Sequence, residues 1–325
     1  MQRRQFILSA SALATTRAIA QPASANYPTR PVRLIVPFPP VGPTDVMGRT
    51  AAKALAEQLS QQFVVDNRAG AGGNIGTDAV AKAAPDGYTI GLSAISSLAI
   101  APHLYSSVPF NVQKDFAPIA LVGTTPCALV VHPSAPFNDL KGMVAYARTH
   151  PGQLNYATSG IGTSNHLAAE LLQSVAGIRL TNVPYKGSSQ IVPDLLAGTV
   201  MMSMESSLAT TLQHIQAGKL RAIAVTSAQR TRALPHVPTV AESGYPGFDV
   251  ETWFGLIAPA ATPAAIVTRL SEAWAAGAKT PEAQSAFDTL SGNLRSTNPQ
   301  QFAQFIQEEN QRWGALIRKL GIKAD

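Results

Sequence analysis

The chain has 325 residues, long enough for one large or two ordinary domains to bury a core without disulfides or metal. With 46% hydrophobic and 14% charged residues it lies outside disordered and coiled-coil compositions, and a lone cysteine, Cys127, excludes an intramolecular disulfide framework or a multi-cysteine metal site. Half of the net charge of +6 sits in Arg3, Arg4 and Arg17, so the mild excess left downstream, with 6% aromatic residues, excludes a nucleic-acid footprint.

Residues 1–25 combine a positive start, an apolar stretch from Phe6 to Ala14, and the small-residue triplets Ala18-Ile19-Ala20 and Ala23-Ser24-Ala25, the three parts of a cleaved export signal. Adjacent arginines before Gln5-Phe6-Ile7 fit a twin-arginine signal, although a Sec signal can begin the same way. No later run of about 18 apolar residues crosses a bilayer. The expectation is an exported, periplasmic, soluble chain.

From there the sequence alternates short apolar runs with helical patterns, the signature of an α/β protein with largely parallel sheets. Strands are predicted at Val32–Phe38, Phe63–Asp66, Tyr88–Leu92, Ile119–Val122, Cys127–Val131, Leu154–Ala157, Leu180–Val183, Val200–Met204 and Arg221–Val225. Helices fit Thr44–Ser60, Asn74–Ala83 and residues 139–149, 166–176, 189–197 and 208–217, and the end of the chain turns helical at Thr262–Ala276, Pro281–Leu290 and Pro299–Leu320. Two sheets with more than one chain crossing between them is the preferred arrangement.

Chemistry concentrates where strands hand over to helices. The first such loop runs from Phe38 through Pro40, Val41 and Gly42 to Thr44 and Asp45, with Thr44 suited to cap the helix. A helix start at the carboxyl end of a strand suits a carboxylate or phosphate; a stiff capped turn without ligand satisfies the same residues. The second, Thr158-Ser159-Gly160-Ile161-Gly162-Thr163-Ser164-Asn165-His166, carries more side-chain donors than one cap requires. His166 is a candidate base or ligand, but a histidine opening a helix more often bonds its own loop. Ser93, Ser96 and Ser97 follow the third strand, and Tyr185 and Lys186 precede another helix start, where a phenol could stack and an ammonium could pair with an anion or simply be solvated. Glu205, ending a Met-rich strand, is the one acid placed to enter such a cleft; a solvated strand end is the alternative.

Arg68-Ala69-Gly70-Ala71-Gly72-Gly73-Asn74 lacks both the dinucleotide and the P-loop spacings and reads as a tight turn. There is no G-x-S-x-G elbow and no histidine–carboxylate cluster with metal spacing, so neither a cofactor nor a metal is expected.

Taken in order, these segments resemble the solute-binding proteins of tripartite tricarboxylate transporters, the Bug family. The matching stretches are Tyr27–Pro40, Asn67–Gly76, Ala84–Thr89, Leu154–Ala157, Val183–Gly187, Ala217–Ala222 and Val237–Gly244. The resemblance implies a type II periplasmic binding-protein clamshell, each lobe a mainly parallel sheet flanked by helices. Lobe 1 would comprise residues 26–125 plus 250–325, and lobe 2 residues 126–249. It further implies a monomer that binds a small carboxylate through Phe38–Asp45 and Thr158–His166, often with bridging waters, and delivers it to transporter membrane subunits.

Three departures concern the ligand. Val41 stands where the family usually has a glycine, Glu205-Ser206-Ser207 where an aspartate is common, and Ser93-Ala94-Ile95-Ser96-Ser97 is more apolar than usual, changes that suit an apolar or aromatic carboxylate better than citrate. The rival readings are an exported hydrolase using Ser159 or His166, separated by turnover, and a ligand sensor for a membrane signalling receptor.

Overall fold

The computed structural model describes residues 26–324, so the export segment predicted at 1–25 lies outside the described residues. In chain order the elements are β1 (Val32–Val36), α1 (Pro43–Leu59), β2 (Phe63–Asn67), α2 (Asn74–Ala81), β3 (Thr89–Ala94), α3 (Ala101–Leu104), β4 (Phe116–Pro126) and β5 (Ala128–Val131). Then come α4 (Leu140–Thr149), β6 (Asn155–Thr158), α5 (Ser164–Ala176), β7 (Thr181–Pro184), α6 (Ile191–Leu196), β8 (Met202–Glu205), α7 (Leu212–Gln216) and β9 (Arg221–Val225). The chain ends with β10 (Glu251–Pro259), α8 (Ala264–Gly277), α9 (Pro281–Thr289), β11 (Asn293–Leu294) and α10 (Pro299–Leu320). No helix among the described residues is long and apolar enough to cross a membrane.

The strands form two sheets, in the orders β11-β4-β10-β3-β1-β2 and β7-β6-β8-β5-β9. The expected mainly parallel sheets are in fact mixed: β1 pairs parallel with β2 and β3, and β6 with β7 and β8, but β10 runs antiparallel between β3 and β4, and β5 antiparallel to β8 and β9. The reason is the crossing itself. The chain leaves the first sheet along β4 and returns along β10, so outgoing and incoming strands lie side by side with opposite sense.

The two crossings are stitched together. Cys127 N donates to Thr226 Oγ1 at 3.0 Å, Thr226 N to Cys127 O at 2.9 Å, and Val250 N to Thr226 O at 2.9 Å. Strand β10 has no counterpart among the predicted strands. Its apolar residues Trp253, Phe254, Leu256 and Ile257 are buried, but Gly255 interrupts the run and glycine argues against a strand.

The C-terminal helices return to the first sheet. A Cβ on Gly255 of β10 would stand 1.9 Å from Phe302, so only glycine lets α10 seat that ring on the strand. Helix α10 starts at Asn298 with a capping box closed by Gln301 and ends at Gly321 in the left-handed conformation. The predicted first strand stops two residues early, at Val36, because Pro37, Pro39 and Pro40 offer no amide to a ladder.

Candidate functional site

Between the sheets lies a cavity lined from both of them. The first sheet contributes Phe38, Pro39, Gly42, Pro43 and Thr44 from the β1–α1 loop and Ala94, Ile95 and Ser96 from the end of β3. Ser159, Thr163 and Ser164 come from the β6–α5 loop, Gly187, Ser188 and Ser189 from the β7–α6 loop, and Ser206 from beyond β8; Thr252 and Phe254 of β10 complete it.

The β1–α1 loop is built around Asp45. Its buried carboxylate accepts from Val41 N at 3.0 Å, Asn67 Nδ2 at 2.9 Å and Arg49 Nε at 2.8 Å, while Asn67 also donates to Phe38 O. Burial alone would raise the Asp45 pKa, but the bonds from Arg49, Asn67 and Val41 outweigh it and hold the carboxyl below its ordinary value. Asp45 is therefore a loop anchor and does not line the cavity. The cap of α1 is Gly42, followed by Pro43, and not Thr44 as expected; Thr44 sits inside the first turn, against the cavity. Pro40 and Val41 point to solvent, Val41 being 75% exposed with φ of 69°, a left-handed value costly for a branched side chain.

At the end of β3 the chain enters one π-helical turn, Ser96–Ile100. Ser93 faces away and bonds Thr77 at 2.9 Å. The Ser96 and Ser97 hydroxyls are buried without a partner, and of the three only Ser96 lines the cavity. A π-turn is the kind of local irregularity that collects at functional sites.

In the β6–α5 loop most of the polar capacity is spent internally. Thr158 donates to Asn182, Ser159 to Asn165, and Thr163 to the Gly160 carbonyl at 2.6 Å, so no side chain caps α5. Ser164 shares a 2.5 Å hydrogen bond with Thr252 of β10. Gly162, at φ of 76°, donates its amide to His166 Nδ1. Burial lowers the His166 pKa while Glu170 raises it by less, leaving a neutral ring that serves its own loop and does not line the cavity. Ser159 and His166 thus have other partners than each other, which leaves no nucleophile–base pair for the hydrolase reading.

Tyr185 and Lys186 stand at the outer mouth with Gly70–Gly73, Tyr105 and Ile161. Tyr185 Oη donates to Asp194 at 2.6 Å, and burial together with that carboxylate pushes its phenol up to about 12. Tyr105 Oη reaches across the mouth to the Ile161 carbonyl at 3.1 Å. Glu205 is 0% exposed and does not line the cavity itself, although Ser188, which does, lies near enough to influence its carboxyl.

The lining residues absent from the predicted set are Pro39, Gly42, Pro43, Ala94, Ile95, Gly187, Ser188, Ser189, Ser206, Thr252 and Phe254. Most neighbour predicted ones in sequence; Thr252 and Phe254 belong to the strand that had no sequence signal. What the geometry offers chemically is specific. Helices α1 and α5 aim uncapped N-termini at one space from opposite sheets, hydroxyls fill the intervening wall, and no lysine, arginine or histidine lines it.

A family model described as "Tripartite tricarboxylate transporter family receptor" matches residues 47–322. Protein BugT of Bordetella pertussis is 42% identical over 310 residues, covering 95% of each chain. Among solved structures, an R. palustris protein with adipate is 35% identical with a TM-score of 0.87, covering 91% of this chain and 99% of its own. MatC from Rhodopseudomonas palustris, with bound malate, is 31% identical with a TM-score of 0.83, covering 90% and 100%.

Proposed function

The chain belongs to the tripartite tricarboxylate transporter receptor family and has a solute-binding role, and from that premise we propose that its cavity captures a small carboxylate in the periplasm. Two lobes, residues 26–125 plus 250–325 and residues 126–249, close on the ligand as a clamshell. The monomeric complex then delivers it unchanged to the membrane subunits of a tripartite transporter, with no catalytic step.

The observation that carries this reading is the convergence of the two uncapped helix N-termini on one hydroxyl-walled cavity. Relatives bound to adipate and malate support the ligand class. With Phe38, Phe254, Ile95 and three prolines or alanines around the hydroxyls, and no cationic side chain in the lining, the site favours a mono- or dicarboxylate with an apolar or aromatic body over citrate. Three negative charges would meet no counter-charge there.

Thermal unfolding of the mature chain against adipate, malate, benzoate, citrate, amino acids and sugars tests this. A ligand at about 100 times its Kd stabilises by roughly 2.7 kcal/mol, a shift of a few degrees. The expected result is a shift with a mono- or dicarboxylate that is recovered unchanged. A shift with sugars alone, or turnover of the bound compound, overturns the reading, and citrate binding more tightly than every other acid overturns the preference for an apolar body.

A further inference from the structure

We propose that, given a carboxylate-binding cavity as inferred above, Glu205 couples ligand capture to proton uptake, its buried carboxyl setting through Ser188 and Ser206 whether hydroxyl protons face the ligand. Glu205 ends β8 with no exposed surface, and neither of its oxygens has a hydrogen-bond partner. The hydroxyls of Ser203, itself unpartnered, and Ser188 stand close enough to favour its charged form without completing a hydrogen bond to it. Ser188 Oγ lies 3.3 Å from Ser206 Oγ, and both serines line the cavity. A carboxyl with two idle oxygens, set one hydroxyl pair behind a binding wall, is a cost that the fold alone does not explain.

The consequence follows from donor counting. An ionised carboxylate only accepts, so it draws the Ser188 proton, Ser188 in turn accepts from Ser206, and lone pairs are left facing the cavity. A protonated carboxyl donates to Ser188, which donates to Ser206, which donates to the ligand. A bound carboxylate needs donors and therefore selects the protonated form, taking one proton from solvent. By linkage the ligand raises the Glu205 pKa as much as protonation raises affinity.

Burial, partly offset by the Ser203 and Ser188 hydroxyls, pushes Glu205 up to about 7, which populates both forms near neutral pH. The surrounding ionisable groups are otherwise engaged. Strand β5 carries none, Tyr156 of β6 bonds Glu170 of α5, His166 of α5 serves its own loop, Asp194 of α6 holds Tyr185, and Lys186 is exposed. None of these charges contributes to the Glu205 shift.

Isothermal titration of the mature protein with adipate and with malate, at pH 7 in two buffers of different ionisation enthalpy and then from pH 6 to pH 8, tests the coupling. Expected are net proton uptake of up to about half a proton per ligand at pH 7, rising toward one at pH 8, and a Kd that weakens by up to about tenfold per pH unit above neutrality. Glu205→Gln keeps a donor and carries the ligand's own titration unchanged. It is expected to hold the wild-type low-pH affinity across the range with the excess uptake gone. Binding by the wild type without excess uptake and with a flat Kd overturns the proposal, as does an E205Q variant that keeps the uptake; the wild-type proton count stands even if the variant fails to fold. Failure of every carboxylate to bind sinks the carboxylate reading itself, a different result from pH-independent binding.

Discussion

Asp45 shows how a charged side chain beside a binding site can serve the site without touching it. Both of its oxygens are committed, to Val41, Asn67 and Arg49, and what they hold is a loop whose Val41 sits at φ of 69°. Asp45→Ala leaves those donors unpaired and frees the loop, with an expected loss of about 2–3 kcal/mol in chemical denaturation and weaker carboxylate binding; normal stability with intact affinity contradicts the anchor role. Its carboxyl is depressed, so the stability it supplies is present above its unfolded pKa near 3.8 and drains away as pH falls through the folded value. Val41→Gly relieves the left-handed strain, worth roughly 1 kcal/mol before the glycine's extra unfolded entropy is subtracted, and a lower melting temperature in that variant counts against strain at this position. Glu205 has the opposite sign. Raised from 4.5 to about 7, it leaves the fold most stable below its unfolded pKa and costs stability as pH climbs through 7, on the order of 3 kcal/mol once fully ionised. Glu205→Gln should flatten that decline, so the wild type should melt lower than the variant at pH 8 and level with it below pH 4.

At the level of elements, the join between α10 and β10 is the most instructive. Glu309 Oε2 accepts the indole N–H of both Trp253 on β10 and Trp313 on α10, each at 2.9 Å, and its other oxygen takes Arg312 at 3.1 Å. One buried carboxylate thus pins the C-terminal helix to the returning strand, beside the Gly255–Phe302 contact. Glu309→Leu strands two buried indole donors, with an expected cost of about 3 kcal/mol; an unchanged urea midpoint would show that packing alone docks the helix. The same region marks where reading the sequence stops. The strand–loop–helix units were legible because each carries a period change and turn residues at the boundary, as at Pro37–Pro43 and Thr158–Thr163. Strand β10 was not, since Gly255 splits its apolar run into two short pieces and a glycine inside a run argues against a strand. Thr44 was mistaken for a cap because Pro43 fits N1 equally well and moves the boundary back to Gly42. The donors of the β6–α5 loop were visible as residue types, but their spending on Asn182, Asn165 and Gly160 depends on geometry that no spacing encodes.

For the whole molecule, the question is what holds the two sheets closed on their cavity. Several contacts span the gap, among them Ser207 Oγ, which donates to the Leu290 carbonyl at 3.0 Å. Ser164 meets Thr252 at the floor, Thr125 donates to the Ser206 carbonyl at 2.8 Å beside it, and Tyr105 reaches the Ile161 carbonyl at the mouth. The inner pair sits beside the Thr226 stitch and moves little in a rotation about it, so it cannot distinguish open from closed. The outer contact can, because a hinge rotation displaces atoms in proportion to their distance from the axis. Tyr105→Phe removes the bridging hydroxyl while keeping the ring, and a hydrogen bond of about 1 kcal/mol corresponds to a roughly fivefold change in the closed-to-open ratio. Small-angle scattering of the ligand-free variant should then give a larger radius of gyration than the wild type, and carboxylate affinity should fall by up to that factor, since a ligand that binds the closed form carries the cost of closing. Saturating ligand should restore the wild-type radius, because the ligand itself bridges the lobes. If the radius and the affinity both stay at wild-type values, the mouth contact follows closure without contributing to it, and the equilibrium is set by the remaining contacts between the sheets instead.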